Sequence, residues 1–164
     1  SQFLKHKPDY ALFRDEQTDA YFSLAQEFVS LCKKYGVKSF LHKDKTLAKE
    51  LGAFGVHLKS SQFGELIDAV VMCENVIIST HSEDEVLVAQ EMGAYAVTYS
   101  PIFTTPDKGE PKGVDELARL CQKVGVRVFA LGGIVTSEQI ELVATAKAYG
   151  FASIRYYALC ELIN

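Results

Sequence analysis

The sequence predicts an α/β protein in which strands and helices alternate along the whole chain. Two observations carry this. A phrase made of a helix end, a glycine and a β-branched or aromatic strand returns as "KKYGVKSFLH", "KELGAFGVHL", "QEMGAYAVTY", "QKVGVRVFAL" and "KAYGFASIRY". Its strands are apolar runs rather than clean alternations, the pattern of parallel strands covered on both faces. With two further strands the count is seven, separated by six helical or helix-length segments. That count favours a (β/α)₈ TIM barrel lacking its first strand, although 164 residues is short for this fold. An open doubly wound sheet fits the same alternation. A single domain over 1–164 is expected.

The elements can be justified in order. "SQFLKHKPDY" begins without methionine, and "FLKHK" before Pro8 reads as the last turn of a helix, so an upstream element is expected to be missing. "YALFR" (10–14) is the first strand. "TDAYFSLAQEFVSLCKKY" places Phe22, Ala25, Phe28, Val29 and Cys32 on one helical face, with lysines at its end. Gly36, Gly52, Gly93, Gly125 and Gly150 stand where a left-handed residue closes a helix. "NVIIS" (75–79) is a strand without such a glycine. "SEDEVLVAQEM" opens with Ser82 as N-cap and Glu85 at capping-box spacing, and "TSEQIELVATAKAY" begins the same way.

Composition excludes several classes. Hydrophobic residues make up 48% and charged residues 23%, ordinary for a globular protein. A net charge of −4 argues against nucleic acid or an anionic membrane as partner. No apolar run approaches the roughly 20 residues of a membrane span, and no secretory signal opens the chain. Cys32, Cys73, Cys121 and Cys160 are widely spaced in apolar stretches and read as buried free thiols of a cytoplasmic protein.

Ligands of such folds bind beyond the carboxyl ends of the strands. Those ends read Arg14, His42-Lys43, His57 and Lys59, Ser79-Thr80-His81, Ser100, Gly132-Gly133 and Arg155. A mostly cationic rim on an acidic protein suggests a small anionic ligand such as a phosphate ester. In "ALGGIVTSEQ" two glycines allow close backbone approach and Ser137 is read as the cap of a helix with a positive N-terminus. A tight turn needing glycine for geometry alone is the competing reading. The "YSPIFTTPDKGEPKG" loop, 99–113, carries adjacent threonines and Lys108 directly after a strand.

At these residues the chain resembles the thiamine phosphate synthase and thiazole tautomerase (TenI) family. "STHSEDE" matches a family S-x-H-S/T-x-x-E stretch, "SPIFTTPDK" its G-P-I-F-x-T-x-x-K loop, "GGI" a later turn, and "LGAFGVHL" its L-G-A-D-G-V-H-L. The resemblance runs from Tyr10 to Tyr157, with the motifs in order, and implies a (β/α)₈ barrel whose second strand is "YALFR". It implies a transferase that joins a pyrimidine pyrophosphate to a thiazole phosphate with Mg²⁺. By the same resemblance Ser79 lies near the pyrimidine, Thr105 and Lys108 contact phosphate, and Gly133 belongs to the thiazole phosphate site. Lys108, Ser79 and His42 are the catalytic candidates. Arg14, Thr105, Lys108, Gly132, Gly133 and Arg155 are the phosphate-binding ones. The expected partner is a small phosphorylated thiazole or pyrimidine, with a homo-oligomer compatible.

The metal end departs from the pattern. The family's N-D is here His42-Lys43, and its G-Q-x-D is Lys59-Ser60-Ser61-Gln62. Magnesium needs hard oxygen ligands, so no cofactor is expected unless Asp44 or Asp15 supplies them. In the family's Q-L-R-x-K, Arg14 survives while Leu12 and Glu16 replace the glutamine and lysine. The alternative readings are a tautomerase-like enzyme, which needs a base and no metal, and a non-catalytic regulatory or ligand-binding barrel. Another phosphate-ester isomerase is a third. The tautomerase branch has a histidine where this chain has Pro101. His42, His57 and His81 remain as bases: His57 reads as structural, His81 as loop-orienting or catalytic, and His42 as a ligand contact or a surface residue. Arg155, with Tyr156 and Tyr157, either holds an anion or closes the pocket.

Overall fold

The computed structural model describes residues 7–15 and 19–159. The residues read as an N-terminal helix turn, apart from Lys7, lie outside them, as do Glu16 and Cys160. The order is β1 (Tyr10–Phe13), α1 (Tyr21–Tyr35), β2 (Lys38–His42), α2 (Lys45–Glu50), β3 (Gly55–Leu58), then a 3₁₀ segment (Ser60–Glu65) running into α3 (Leu66–Met72). There follow β4 (Val76–Thr80), α4 (Glu83–Glu91), β5 (Ala96–Tyr99), α5 (Gly113–Lys123), β6 (Arg127–Leu131), α6 (Ser137–Thr145), β7 (Gly150–Ala152) and α7 (Arg155–Leu159).

All seven strands are parallel and pair in sequence order, β1 through β7. A doubly wound sheet reverses its order at a switch point, and this one does not. The sheet is also curled. In a flat sheet β1 and β7 would stand about 29 Å apart, six spacings of about 4.8 Å. Yet the phenol of Tyr10 in β1 lies 3.1 Å from that of Tyr149, just before β7.

Alternation along each strand divides the core. Leu41, Val56, Leu58, Ile78, Val97, Val128 and Ala130 face the helices and pack on Ala25, Val29, Leu66, Ala69, Val86, Leu117, Leu120 and Val143. The opposite parity faces the inside of the curl. There Phe40, Ile77, Ala96 and Phe129 are buried, with Tyr10, Phe54 and Tyr95 against them. These rings form an aromatic floor at the amino ends of the strands.

Several expectations are corrected. Phe22 is 50% exposed, because it lies at the edge of the stripe made by Ala25, Val29 and Cys32, and it is Tyr21 that packs on Phe13, ring centroids 5.1 Å apart. Gly36 closes α1 in the left-handed conformation, but Gly125 and Gly150 do not adopt it. The Gly125 N–H is held instead by the Gln90 side chain, and Gly150 opens β7 where a Cβ would crowd the Phe129 ring at 3.0 Å. Thr136, not Ser137, caps α6: its hydroxyl accepts from Gln139 N–H while the Gln139 side chain accepts from Thr136 N–H. Ser82 caps α4 as expected, although Glu85 turns back to the N–H of His81 rather than that of Ser82.

Candidate functional site

Above the floor, the inner face of β2 to β5 changes character. His42 sits two residues beyond Phe40, His57 pairs with it in register, and Ser79 pairs with Thr98. Their side chains join into one chain of contacts. His42 Nδ1 lies 3.1 Å from His57 Nδ1, with the two rings stacked. His57 Nε2 lies 3.1 Å from Ser79 Oγ, and Thr98 Oγ1 donates to Ser79 Oγ at 3.4 Å. His42 and His57 are only 4% and 6% exposed. The His57 pKa is pushed down to about 3, first by burial, then by His42 and by the Arg14 guanidinium. The reading of His42 as a surface histidine is therefore overturned: strand parity turns it inward.

The turn after β4 is fixed from within. Thr80 is fully buried and donates to the Thr98 carbonyl. His81 Nδ1 lies 3.2 Å from the Ser100 carbonyl oxygen and 3.3 Å from its hydroxyl. His81 thus ties the β4 turn to the end of β5, which favours its loop-orienting reading.

The loop from Ser100 to Lys112 folds back over the end of β6. Ile102 N–H donates to the Leu131 carbonyl and Phe103 N–H to that of Gly132, both at 3.0 Å. Both glycines after β6 have positive φ, 100° at Gly132 and 69° at Gly133. A Cβ on Gly132 would meet Pro101 at 2.8 Å, and one on Gly133 would meet the Thr104 carbonyl oxygen at 2.7 Å. The turn needs glycine both for its dihedrals and for the backbone lying on it. Thr105 Oγ1 donates to the Phe103 carbonyl at 2.9 Å. Lys108 is exposed at the loop tip, its N–H on the Thr105 carbonyl.

The predicted residues therefore fall into groups. His42 and Ser79 share one network, with Arg14 in line with His42 at the end of β1 and acting on His57. Thr105, Gly132 and Gly133 meet where the loop docks, with Lys108 at the loop tip. Arg155 stands apart, exposed at the start of α7, while Tyr156 and Tyr157 pack on Phe151. Sequence reasoning read His57 as structural and did not consider Thr98; the structure joins both to His42 and Ser79. The signal available was parity, since His57 must face the same way as His42 once β2 and β3 pair.

The carboxyl ends of β2 and β3 do not fit a magnesium ion. His42 is engaged with His57, and Lys43 has positive φ with its N–H on the His57 carbonyl. The Asp44 carboxylate caps α2 through Leu47 N–H at 2.8 Å. Gln62 accepts from Lys59 N–H and donates to Glu65. Among the described residues no three His, Cys, Asp or Glu side chains are grouped to hold a metal. Cys32 and Cys73 are buried free thiols and Cys121 is partly buried. Among the described residues no helix is long and apolar enough to cross a membrane.

Comparison with known proteins places this geometry. A family model described as thiamine monophosphate synthase matches residues 1–156. The chain belongs to the thiamine monophosphate synthase family. Among its family relatives, the thiamine-phosphate synthase of Bacillus mycoides is 32% identical over 163 residues, covering 96% of this chain and 72% of that one. That of Bacillus thuringiensis subsp. konkukian is 33% identical over 142 residues, covering 84% of this chain and 64% of the relative. In three dimensions a thiamine phosphate pyrophosphorylase from Pyrococcus furiosus superposes with a TM-score of 0.79 at 20% identity, over 93% of this chain and 79% of that one. A glycerol uptake operon antiterminator regulatory protein from Listeria monocytogenes reaches 0.62 at 17% identity, over 79% and 74% of the two chains. At such identities the structures establish the fold alone, a TIM-like one. This family member carries the family's curled parallel sheet with an imidazole pair at its mouth.

Proposed function

We propose that this chain is a thiamine phosphate synthase-like protein of thiamine biosynthesis that binds a phosphorylated thiazole at the carboxyl mouth of the sheet without Mg²⁺. The observation that carries the reading is the docking of the 100–112 loop on Gly132 and Gly133, which sets Thr105 over that turn. In this reading Thr105 and Lys108 hold the phosphate with the turn's backbone, and Arg14 and Arg155 add positive charge at the rim. Thr105 must rotate away from the Phe103 carbonyl to donate. Ser79 faces the heterocycle, with His42 behind it through His57. The ligand is a small phosphorylated thiazole, with a pyrimidine pyrophosphate as a second candidate; neither nucleic acid nor a membrane is a partner, and the setting is cytoplasmic.

A second reading, a tautomerase-like enzyme, is favoured by one specific observation: the inner-face chain from His42 through His57 to the Ser79 hydroxyl needs no metal to move a proton. A non-catalytic binding barrel is the third. The test is calorimetry with 4-methyl-5-(2-phosphooxyethyl)thiazole, with and without Mg²⁺, followed by incubation with the pyrimidine pyrophosphate. Binding that is indifferent to Mg²⁺, with no thiamine phosphate formed, is expected. Mg²⁺-dependent thiamine phosphate synthesis overturns the metal-free reading, and absence of binding overturns the thiazole one.

A further inference from the structure

His57 has both ring nitrogens engaged, and that decides where its proton sits. Two Nδ1 atoms 3.1 Å apart need one proton between them, so one ring donates and the other accepts. Ser79 Oγ already accepts from Thr98, so the Ser79 hydrogen is the one directed at His57 Nε2, which is then an acceptor. The proton therefore belongs on His57 Nδ1, with His42 Nδ1 as its acceptor. This leaves the His57 Nε2 lone pair pointing at Ser79 Oγ, 3.1 Å away. Thr98 donates to the same oxygen from the other side. The direction runs from Thr98 to Ser79 to His57 to His42.

We propose that Ser79, His57 and His42 form a directed proton relay, with Ser79 Oγ exchanging a proton with the ligand and His42 a positioning residue that fixes the tautomer of His57. The pair reaches a hydroxyl that is only partly buried, on the inner face toward the carboxyl mouth. The arrangement is that of a hydroxyl activated by an imidazole that a third group orients. Burial disfavours charge on His57, so the ring is a neutral acceptor at neutral pH. The ligand class is a small ring carrying an acidic C–H or ring N–H. Its proton passes to Ser79 Oγ as the Ser79 proton moves to His57 Nε2, and the His57 Nδ1 proton moves to His42. The reverse sequence returns a proton to a second atom of the same ring. The product is a tautomer, with no net change of charge or oxidation state.

The choice of probe rests on the thiazole reading above, and two measurements keep the failures apart. Long-range ¹H–¹⁵N spectra of the histidine rings in the full chain are expected to show His57 as the neutral Nδ1–H tautomer at pH 7. In H42F they should show a mixture of tautomers. The His57 Nε2–H tautomer, or a His57 signal indifferent to H42F, overturns the relay; if H42F does not fold, the wild-type tautomer still decides. The second measurement follows conversion of a non-aromatic thiazole phosphate tautomer to its aromatic form by ultraviolet absorbance. S79A and H57Q are expected to slow it by about 100-fold or more. H42F should lower kcat by about tenfold or more, with KM little changed, as expected for a wrong tautomer. Binding of thiazole phosphate without conversion, or full activity in S79A, overturns the relay. Absence of binding overturns only the thiazole reading, and the spectra then decide the relay.

Discussion

At the amino ends of the strands, Tyr10, Phe40, Phe54, Tyr95 and Phe129 pack ring against ring, with centroid separations between 5.3 and 6.5 Å. Lys38 lies over Tyr10 at 4.9 Å and Arg127 over Tyr95 at 4.4 Å, so even the cations there serve ring faces. At the carboxyl ends the same inward parity carries His42, His57, Ser79 and Thr98, joined through ring nitrogens and hydroxyls. On β2 the change from floor to mouth takes two residues, Phe40 to His42; on β3 it is Gly55 to His57. Gly55 belongs to the floor, since a Cβ there would meet the Phe40 ring at 2.6 Å. A shallow depression of about 510 Å³ lies at the floor end, lined by Gln90, Tyr95, Arg127 and Tyr149 among others. Its surroundings are ring faces and a stacked guanidinium rather than convergent acids and bases, so volume and chemistry part company. One end of the curl holds the sheet together through buried area; the other joins polar side chains through hydrogen bonds.

That contrast can be broken at five points, from the largest expected effect to the smallest. Phe129→Ala removes a floor ring that is 7% exposed and should cost about 3–5 kcal/mol in urea unfolding. Thiazole phosphate affinity of the folded fraction should be unchanged; a loss of affinity would mean floor and mouth are coupled. Lys108→Ala is the converse, weakening phosphate binding by about 1.5–3 kcal/mol with an unaltered unfolding midpoint. Unchanged affinity in calorimetry would remove the lysine from the site. Gly133→Ala joins both effects, because its Cβ meets the loop backbone at positive φ. A loss of about 1–3 kcal/mol in stability, together with weaker ligand binding, is expected from denaturation and calorimetry.

The fourth point is pH. His57 titrates from an ordinary value of 6.5 down to about 3 in the folded chain. Protonation therefore favours the unfolded state, and the His57 contribution is complete above pH 6.5 and is lost as pH falls toward 3. The slope in that window should approach about 1.4 kcal/mol per pH unit, and H57F should flatten it in parallel urea titrations. The fifth is Thr136→Ala, which removes the cap of α6 away from both ends and should cost about 1 kcal/mol in thermal unfolding with no effect on ligand.

Much of this was legible in the residues. The repeated helix–glycine–strand phrase placed five of the seven strands, and apolar β-branched or aromatic runs the other two, because periodicity and turn chemistry act over a few residues. The rim was legible for the same reason, as a strand's last residue is a local fact. Gly125 and Gly150 were misread because a side chain 35 residues away, that of Gln90, holds the first, and Phe129 presses on the second. Phe22 was misread because it lies at the edge of the stripe made by Ala25, Val29 and Cys32, and it is Tyr21, nearer the centre of that stripe, that docks on Phe13. The two glycines after β6 could be read as a turn, but not as the seat of a loop arriving from another strand.

The sequence by itself determined the alternation of strands and helices, the parity that turns one face inward and the family, and it puts Lys43 and Gln62 where the resemblance expects aspartates. Only the tertiary structure decided that the sheet curls until Tyr10 meets Tyr149, and that His57 stands between His42 and Ser79. The physical reason is range. Propensity and patterning are settled among neighbours in the chain, whereas the partners of His57 lie 15 and 22 residues away. They come within hydrogen-bonding distance only when parallel pairing sets the register.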